Sequence, residues 1–571
     1  MMVDMNNPLT LSTGHLEVLF ENGFLRYIRF GNAELLRMIY FAVRDSNWGT
    51  VPHHITNATL TKNPGGFLLH YECTCKQKGI DFRWECRIEG TGNTLTFEIN
   101  GEAHSHFDAN RIGFCVLHPI DQCAGKEVRI THSNGSSTVK TFPKAIAPHQ
   151  PFKDIKGMAW EADTSEVKLF FEGDVFETED QRNWLDASYK TYCTPLELPF
   201  PLSWEIGKTV SQRIRLEVIP RLLDTSFDQG TDLKLNILGN TSTLPRLGLE
   251  ANGRIPSDWE LQKLKDLQLS FLRVEIRLDG KEENVESNLV QAKRLQLPIE
   301  LILFTNNNAS ALGNRLKKIN WEGLIIMSIL ALNTETLTTK RGFLEKVRPV
   351  LRATFGKAPI GGGTDHYFTQ INRERPPSNS IDFLSFSANP QVHAFDDLSI
   401  LETAQTFTSV IESAQMISGG KPIHISPITL KPRSNPDATV AISEEEQARA
   451  RLDHRHKTPL NALWTLASLK NIIQGSAAQA TFFQTLGDEG LLSDSGRSLF
   501  PIYEVFAFLG QRKNALAIQT ESSHPLVFEG LILEENGKRS YILGNFTEDP
   551  ILIRIEERSI GLRPKELKFM D

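Results

Sequence analysis

Between residues 250 and 490 the chain sets carboxylates, amides, imidazoles and guanidinium groups at recurrent positions, each at or just past the end of a short apolar run. Glu250 and Asn252 close the first run, Glu275, Arg277 and Asp279 the second, Thr305 and Asn306 the third, Asn333 and Glu335 the fourth. Gly361-Gly-Gly363 leads into Asp365, His366 and Tyr367, and the next run into Asn389, Gln391 and His393. The last two deliver Thr429 with Arg433, then Gln484 with Glu489. Carboxylates accept from sugar hydroxyls, amides accept and donate, and His or Glu can move protons near neutral pH. Such a set suits a polyhydroxylated substrate. Glu275, Asp365, His366 and His393 are the candidates for proton transfer, and Glu250, Asn389, Arg433 and Gln484 for substrate binding. Plainer readings stand beside these. Asn252, Thr305 and Thr364 fit caps, and Arg433 fits a structural pair with a carboxylate.

A second dense polar stretch, Glu179-Asp-Gln-Arg-Asn-Trp-Leu-Asp186, lies far upstream. It reads either as a loop held by internal Arg–carboxylate pairs or as an insertion that reaches the site. In the second case Trp184 supplies a sugar platform, and Arg182 or Asn183 a partner for hydroxyl or carbonyl groups. No metal or cofactor is expected. His53, His54, His104 and His106 lack zinc-ligand spacing. No Gly-Lys-[Ser/Thr] follows Gly361–Gly363, which reads instead as a close backbone approach. No Gly-x-Ser-x-Gly nucleophile elbow occurs.

The elements that must position these residues are legible as a change of texture. Up to about Pro220, short alternating runs such as Phe67–Cys75, Phe82–Ile88 and Ile112–His118 are cut by Gly, Asn and Pro, the pattern of a large antiparallel sandwich. Leu233–Leu238 reads as its last strand. From Leu244, eight strand-sized runs alternate with helical patterns. The runs are Leu247–Ala251, Phe271–Ile276, Ile299–Phe304, Leu324–Ala331, Ala358–Gly363, Phe383–Ser387, Ile423–Ile428 and Ala478–Phe483. The helical stretches are Asp258–Leu267, Glu283–Leu295, Thr334–Ala353, Ser399–Met416, Glu444–Ile473 and Ser498–Leu509. That alternation predicts a (β/α)8 TIM barrel, whose active site lies at the C-terminal strand ends. A doubly wound open sheet would carry a Gly-rich first turn, and Glu250-Ala-Asn-Gly253 is not one. Strand patterns return near the C-terminus, with a hairpin signal at Glu535-Asn-Gly537. The fold class is therefore multidomain: an N-terminal β-sandwich (1–242), a central barrel (243–511) and a small C-terminal β-sandwich (512–571).

With 571 residues the chain is too long for one core. A formal net charge of −7 leaves no basic footprint for nucleic acid or an anionic membrane. Neither a secretory leader nor a membrane-length apolar run is read, and six cysteines without ligand spacing read as reduced thiols of a cytoplasmic protein. A retaining glycosidase of the large barrel clan would need Asn-Glu after the fourth strand and Glu after the seventh. Here the fourth gives Asn333-Thr-Glu335, and Ser426-Pro-Ile-Thr429 offers no acid.

Three stretches resemble the D-apionate lactonase family: Arg111-Ile-Gly-Phe-Cys-Val-Leu-His118, Pro148-His-Gln-Pro-Phe152 and, above all, Glu179-Asp-Gln-Arg-Asn-Trp-Leu-Asp-Ala-Ser-Tyr-Lys-Thr-Tyr192. Leu185 stands where the family pattern has Thr. The resemblance covers nearly the whole chain and implies hydrolysis of a small-molecule sugar lactone, D-apionolactone, to D-apionate in apiose catabolism. It carries over no catalytic assignment. The reaction needs a base for water, donors for the oxyanion and an acid for the departing ring oxygen. Glu275 or His393 is expected as base, Asp365 or His366 as acid, and Arg182 or Arg433 at the oxyanion or a hydroxyl. A glycoside hydrolase with atypical carboxylates and a non-catalytic carbohydrate-binding protein are the alternatives. The sequence sets no oligomeric state.

Overall fold

A computed structural model describes residues 8–162, 165–221, 232–278, 284–436, 443–493 and 497–571. Asp279, the start of the helix expected from Glu283 and all of residues 222–231 lie outside them. Two compact units emerge. One holds the sandwich, and the other holds the barrel, the C-terminal strands and, from within the sandwich's own sequence, the five residues Arg182–Asp186.

The sandwich consists of two nine-stranded sheets whose consecutive pairings are antiparallel. Period-two alternation sends one face of each strand inward. Along Gly66–Gln77, Phe67, Leu69, Tyr71, Cys73 and Cys75 are buried while the residues between them are more exposed. Phe97 and Phe114, from opposite sheets, meet edge to face with centroids 4.9 Å apart. All six cysteines are free and buried. Arg111 of the family-like stretch donates to four carbonyls of the 194–199 loop, among them Thr194 at 2.7 Å and Pro195 at 2.7 Å, and so holds that loop in place.

In the barrel, eight parallel strands close because the first, Arg246–Glu250, also pairs with the eighth, Gln479–Leu486. The other six are Phe271–Arg277, Ile299–Thr305, Ile326–Asn333, Ile360–Gly363, Leu384–Ala388, Ile423–Ile428 and their order in the sheet follows the sequence. All eight expected strands are present, seven to within two residues and the eighth running three residues further, to Leu486. The glycine run is a close approach as expected. A Cβ on Gly361 would sit 2.2 Å from the Phe383 ring.

The helices differ more. The stretch expected from Thr334 begins at Arg341, because Asn333 Oδ1 accepts from the amides of Glu335 and Thr336 and makes a turn there instead. Ser399–Met416 divides into Asp397–Thr403 and Phe407–Ser418. Glu444–Ile473 divides into Glu444–Ala450 and Pro459–Gln474, with Pro459 at the first turn of the second helix, where its missing N–H costs nothing. Ala309–Leu316 and Phe368–Arg373 are helices that periodicity had not predicted.

Leu233–Thr243 does not join the sandwich. It pairs with Leu516–Ser522 and Ile551–Ile555 as the third strand of a seven-stranded C-terminal sheet. Ile560, on the edge strand at one end, and Leu543, second from the other end, share one core, so the sheet folds over itself as a small sandwich does. Helix Pro459–Gln474 is buried on nearly every side because that sheet covers the face the barrel leaves open, with Lys470 Nζ 2.7 Å from Glu529.

Candidate active site

The second barrel strand reads Phe-Leu-Arg-Val-Glu-Ile-Arg, and alternation sends Arg273 and Glu275 to the same side, the barrel interior. Arg273 is fully buried and bonds Glu250 of the first strand, Glu275, and Asp365 beyond the fifth at 3.4 Å. Arg433, from the loop after the seventh strand, meets the same three: Glu250 at 3.2 Å, Asp365 at 3.3 Å, and Glu275. Two guanidinium groups thus face three carboxyl groups at the C-terminal end of the barrel. Glu250, Glu275, Asp365 and Arg433 come together as expected. Arg273 was missed, though the charge alternation of its strand was the signal for it.

A second polar layer lies beneath. Arg273 Nε donates to Ser426 Oγ at 3.1 Å, and the Ser426 hydroxyl donates to Glu300 at 2.6 Å. Fully buried Glu300 also accepts from Thr481 at 3.1 Å and faces His424 Nδ1 at 3.3 Å. Burial alone would raise the Glu300 pKa, but His424, Ser426 and Arg273 together hold it low. A barrel interior is usually filled by branched aliphatic side chains. Here charged groups fill it, and a buried charge is tolerated only when paired. The site therefore rests on a polar foundation that fixes Arg273.

The carboxyl groups do not share one character. Burial would raise Glu275 too, yet Arg273 and Arg433 outweigh it and hold its pKa down to about 2. Glu250 is raised: burial leads, with the charges of Glu275 and Asp365 adding to it, against Arg433 and Arg273. Glu250, Arg433, Gln484 and Glu489 line the mouth of this cluster. The Glu489 pKa is likewise raised, by burial against Arg451 and Arg433.

The other expected residues divide. His366 follows Asp365 and places Nδ1 2.7 Å from Ser434 Oγ, next to Arg433. Asn389 Oδ1 accepts from the Gln391 amide at 3.1 Å and caps a turn. Thr364 caps no helix: its hydroxyl accepts from the His366 amide at 3.0 Å in a local turn, and Tyr367 is the N-cap of the helix that follows. In the 182–186 segment, Arg182 is buried and Asn183 Oδ1 accepts from Asn372 Nδ2 at 2.9 Å. Trp184, also buried, has Arg373 5.2 Å from its ring centroid and meets His393 edge-on. Asp186 Oδ2 lies 2.7 Å from His393 Nδ1. Asp186 was noted in its motif but not singled out. Glu335, the acid nearest to a glycosidase position, is exposed, and its amide is spent on the Asn333 turn.

A closed barrel with two arginines set among three carboxyl groups at its C-terminal mouth defines a barrel enzyme equipped to stabilise developing negative charge on oxygen. The chain belongs to the D-apionate lactonase family: residues 3–221 match the family's N-terminal domain and 246–514 its TIM barrel domain. The D-apionate lactonase of Brucella anthropi is 30% identical, over 96% of this chain and 94% of its own length. The protein is accordingly a lactonase, a carboxylic-ester hydrolase. Solved structures align more loosely. A GH30 endoxylanase from Clostridium papyrosolvens C71 does so at 12% identity and a TM-score of 0.38, over 57% of this chain and 88% of its own. A conserved exported protein from Bacteroides fragilis gives 9% and 0.41, over 59% and 98%. Among the described residues no helix is long and apolar enough to cross a membrane.

Proposed function

We propose that the chain hydrolyses D-apionolactone to D-apionate, within the catabolism of apiose, at the C-terminal mouth of its barrel. The observation that carries this reading is Arg433, a cation at the mouth whose guanidinium is shared among Glu250, Glu275 and Asp365. Water attacks the lactone carbonyl while a base takes its proton. The oxyanion draws on Arg433, already desolvated and oriented, so little reorganisation is needed. The ring C–O bond then breaks, and the departing alkoxide takes a proton from Glu250.

The roles differ from those the strand ends alone implied. A carboxylate with a pKa near 2 is a poor base near neutral pH, so Glu275 serves to hold the arginines, as does Asp365. Glu250, whose pKa is raised, replaces Asp365 and His366 as the acid. His393 keeps the role of base. Six buried free thiols support a reducing, cytoplasmic setting.

The test is a pH-indicator assay of lactone opening across a panel of sugar lactones, with Arg433→Gln and Glu250→Gln beside the wild type. D-apionolactone is expected to be opened fastest, and both variants to be slow. A panel in which no lactone is opened faster than in buffer would refute the reading.

A further inference from the structure

The contact between Asp186 and His393 has no part in the charged cluster, and it joins residues 207 positions apart in sequence. We propose that Asp186 is a positioning residue that makes His393 the base: its carboxylate accepts a hydrogen bond from Nδ1–H, which leaves the Nε2 lone pair for the attacking water. The proposal rests on the lactone-hydrolase reading and adds to it the residue that orients the base.

An ionised carboxylate can only accept, so the 2.7 Å contact places the proton of the neutral ring on Nδ1. Nε2 has no hydrogen-bond partner among the described residues. The His393 side chain is 21% exposed and that of Asp186 14%, so the ring reaches solvent while its partner is sheltered. Trp184 adds a wall, its ring centroid 5.2 Å from the imidazole at an 80° angle.

Both sides of the contact are anchored. Asn183 ties the segment to Asn372 of helix Phe368–Arg373, which follows Asp365 and His366 directly. Leu185 sits at φ 76°, a conformation unfavourable to a leucine, and its amide closes on the Arg182 carbonyl at 3.1 Å. Such strain persists only where surrounding contacts over-determine the backbone. On the other side, Gln391 is held by the Leu430 carbonyl at 2.6 Å, by Asp453 at 2.9 Å and by Arg455 at 2.8 Å. His393 thus hangs from a fixed loop.

The step balances. One O–H bond of water breaks, its proton goes to Nε2, and the oxygen bonds the carbonyl carbon. The imidazolium is stabilised by Asp186, and its proton leaves to solvent once the acid product has formed.

The test pairs kinetics with nitrogen-15 spectroscopy of selectively histidine-labelled whole protein, His393 being assigned through His393→Gln. In the free wild type the His393 signals are expected to report an Nδ1–H tautomer, a readout needing no substrate. In Asp186→Asn that tautomer is expected to be lost and kcat to fall by about 10²–10⁴-fold, with KM within about twofold, as when the orienting carboxylate of a catalytic histidine is removed. Asp186→Glu is expected to recover part of the rate. An Nε2–H tautomer in the wild type, or a kcat in Asp186→Asn or His393→Gln near wild type on whichever lactone is opened fastest, would overturn the proposal. Because the tautomer is read without substrate and the rate on the best lactone, a wrong choice of lactone leaves this test intact. If Asp186→Asn does not fold, the wild-type tautomer and His393→Gln still decide.

Discussion

In the proposed reaction Arg433 and Glu250 divide the work between charge and proton, and each makes a separable prediction. Removing one well-placed oxyanion donor typically costs 10²–10³ in kcat, so Arg433→Gln is expected to lose about 3–4 kcal/mol of transition-state stabilisation. Steady-state kinetics should show that loss in kcat more than in KM. Arg273 is different, since it is fully buried under all three carboxyl groups. Replacing it with Met strands those charges, and denaturant unfolding should show a stability loss of about 3–5 kcal/mol. The acid side follows from Glu275. Its carboxyl is held below the ordinary range in the folded state, so it contributes stability above that range, which is lost as the pH falls toward about 2. Glu275→Gln is expected to be less stable than the wild type at pH 7, and the gap should close on acidification. Glu250 has the opposite sign, because ionising it costs stability as the pH climbs through its raised pKa. At this scale the sequence was only partly legible. Glu250, Glu275, Asp365 and Arg433 could be found because strand ends converge in a barrel. Arg273 lies within a strand whose alternating charges could have marked it, whereas Glu300 is a single charge concealed in an apolar run. Nothing local in the sequence says which histidine Asp186 will meet.

Strands were easier to read than helices, for a physical reason. A barrel strand buried on both faces is a short apolar run with clear ends, as Ile423–Ile428 and Ile299–Thr305 are. Helix ends depend on single capping contacts. Asn333 diverts the chain into a turn, and Asp453 caps the short turn before Pro459 by accepting from the Arg455 amide at 3.0 Å. Leu233–Leu238 reads as the sandwich's last strand yet lies in the C-terminal sheet, because a run of alternating residues does not show which sheet it will join. Its place in the C-terminal sheet leads to an element-scale prediction about helix Pro459–Gln474. The Lys470–Glu529 pair is buried on both sides, and burial raises the Glu529 pKa against the pull of Lys470. Lys470→Met alone is expected to cost about 3–5 kcal/mol by leaving a carboxylate unpaired, and adding Glu529→Leu should recover most of that loss. Urea unfolding of the two variants would check it.

At the scale of the whole molecule, the barrel unit includes five residues, Arg182–Asp186, that come from between two strands of the sandwich. The N-terminal sequence therefore contributes residues to the second unit, among them Trp184 and Asp186, which both meet His393. The glycosidase alternative weakens for a structural reason: the clustered carboxyl groups come from the first, second and fifth strands rather than the fourth and seventh. The central claim is that this arrangement opens a sugar lactone. Its most direct test is to follow proton release and product from D-apionolactone at fixed pH, with purified wild type and Arg433→Gln in parallel. Stoichiometric D-apionate from the wild type, with a rate about 10²–10³-fold lower in the variant, is the expected result. Equal rates in the two proteins, or no opening by the wild type beyond that in buffer, would contradict it.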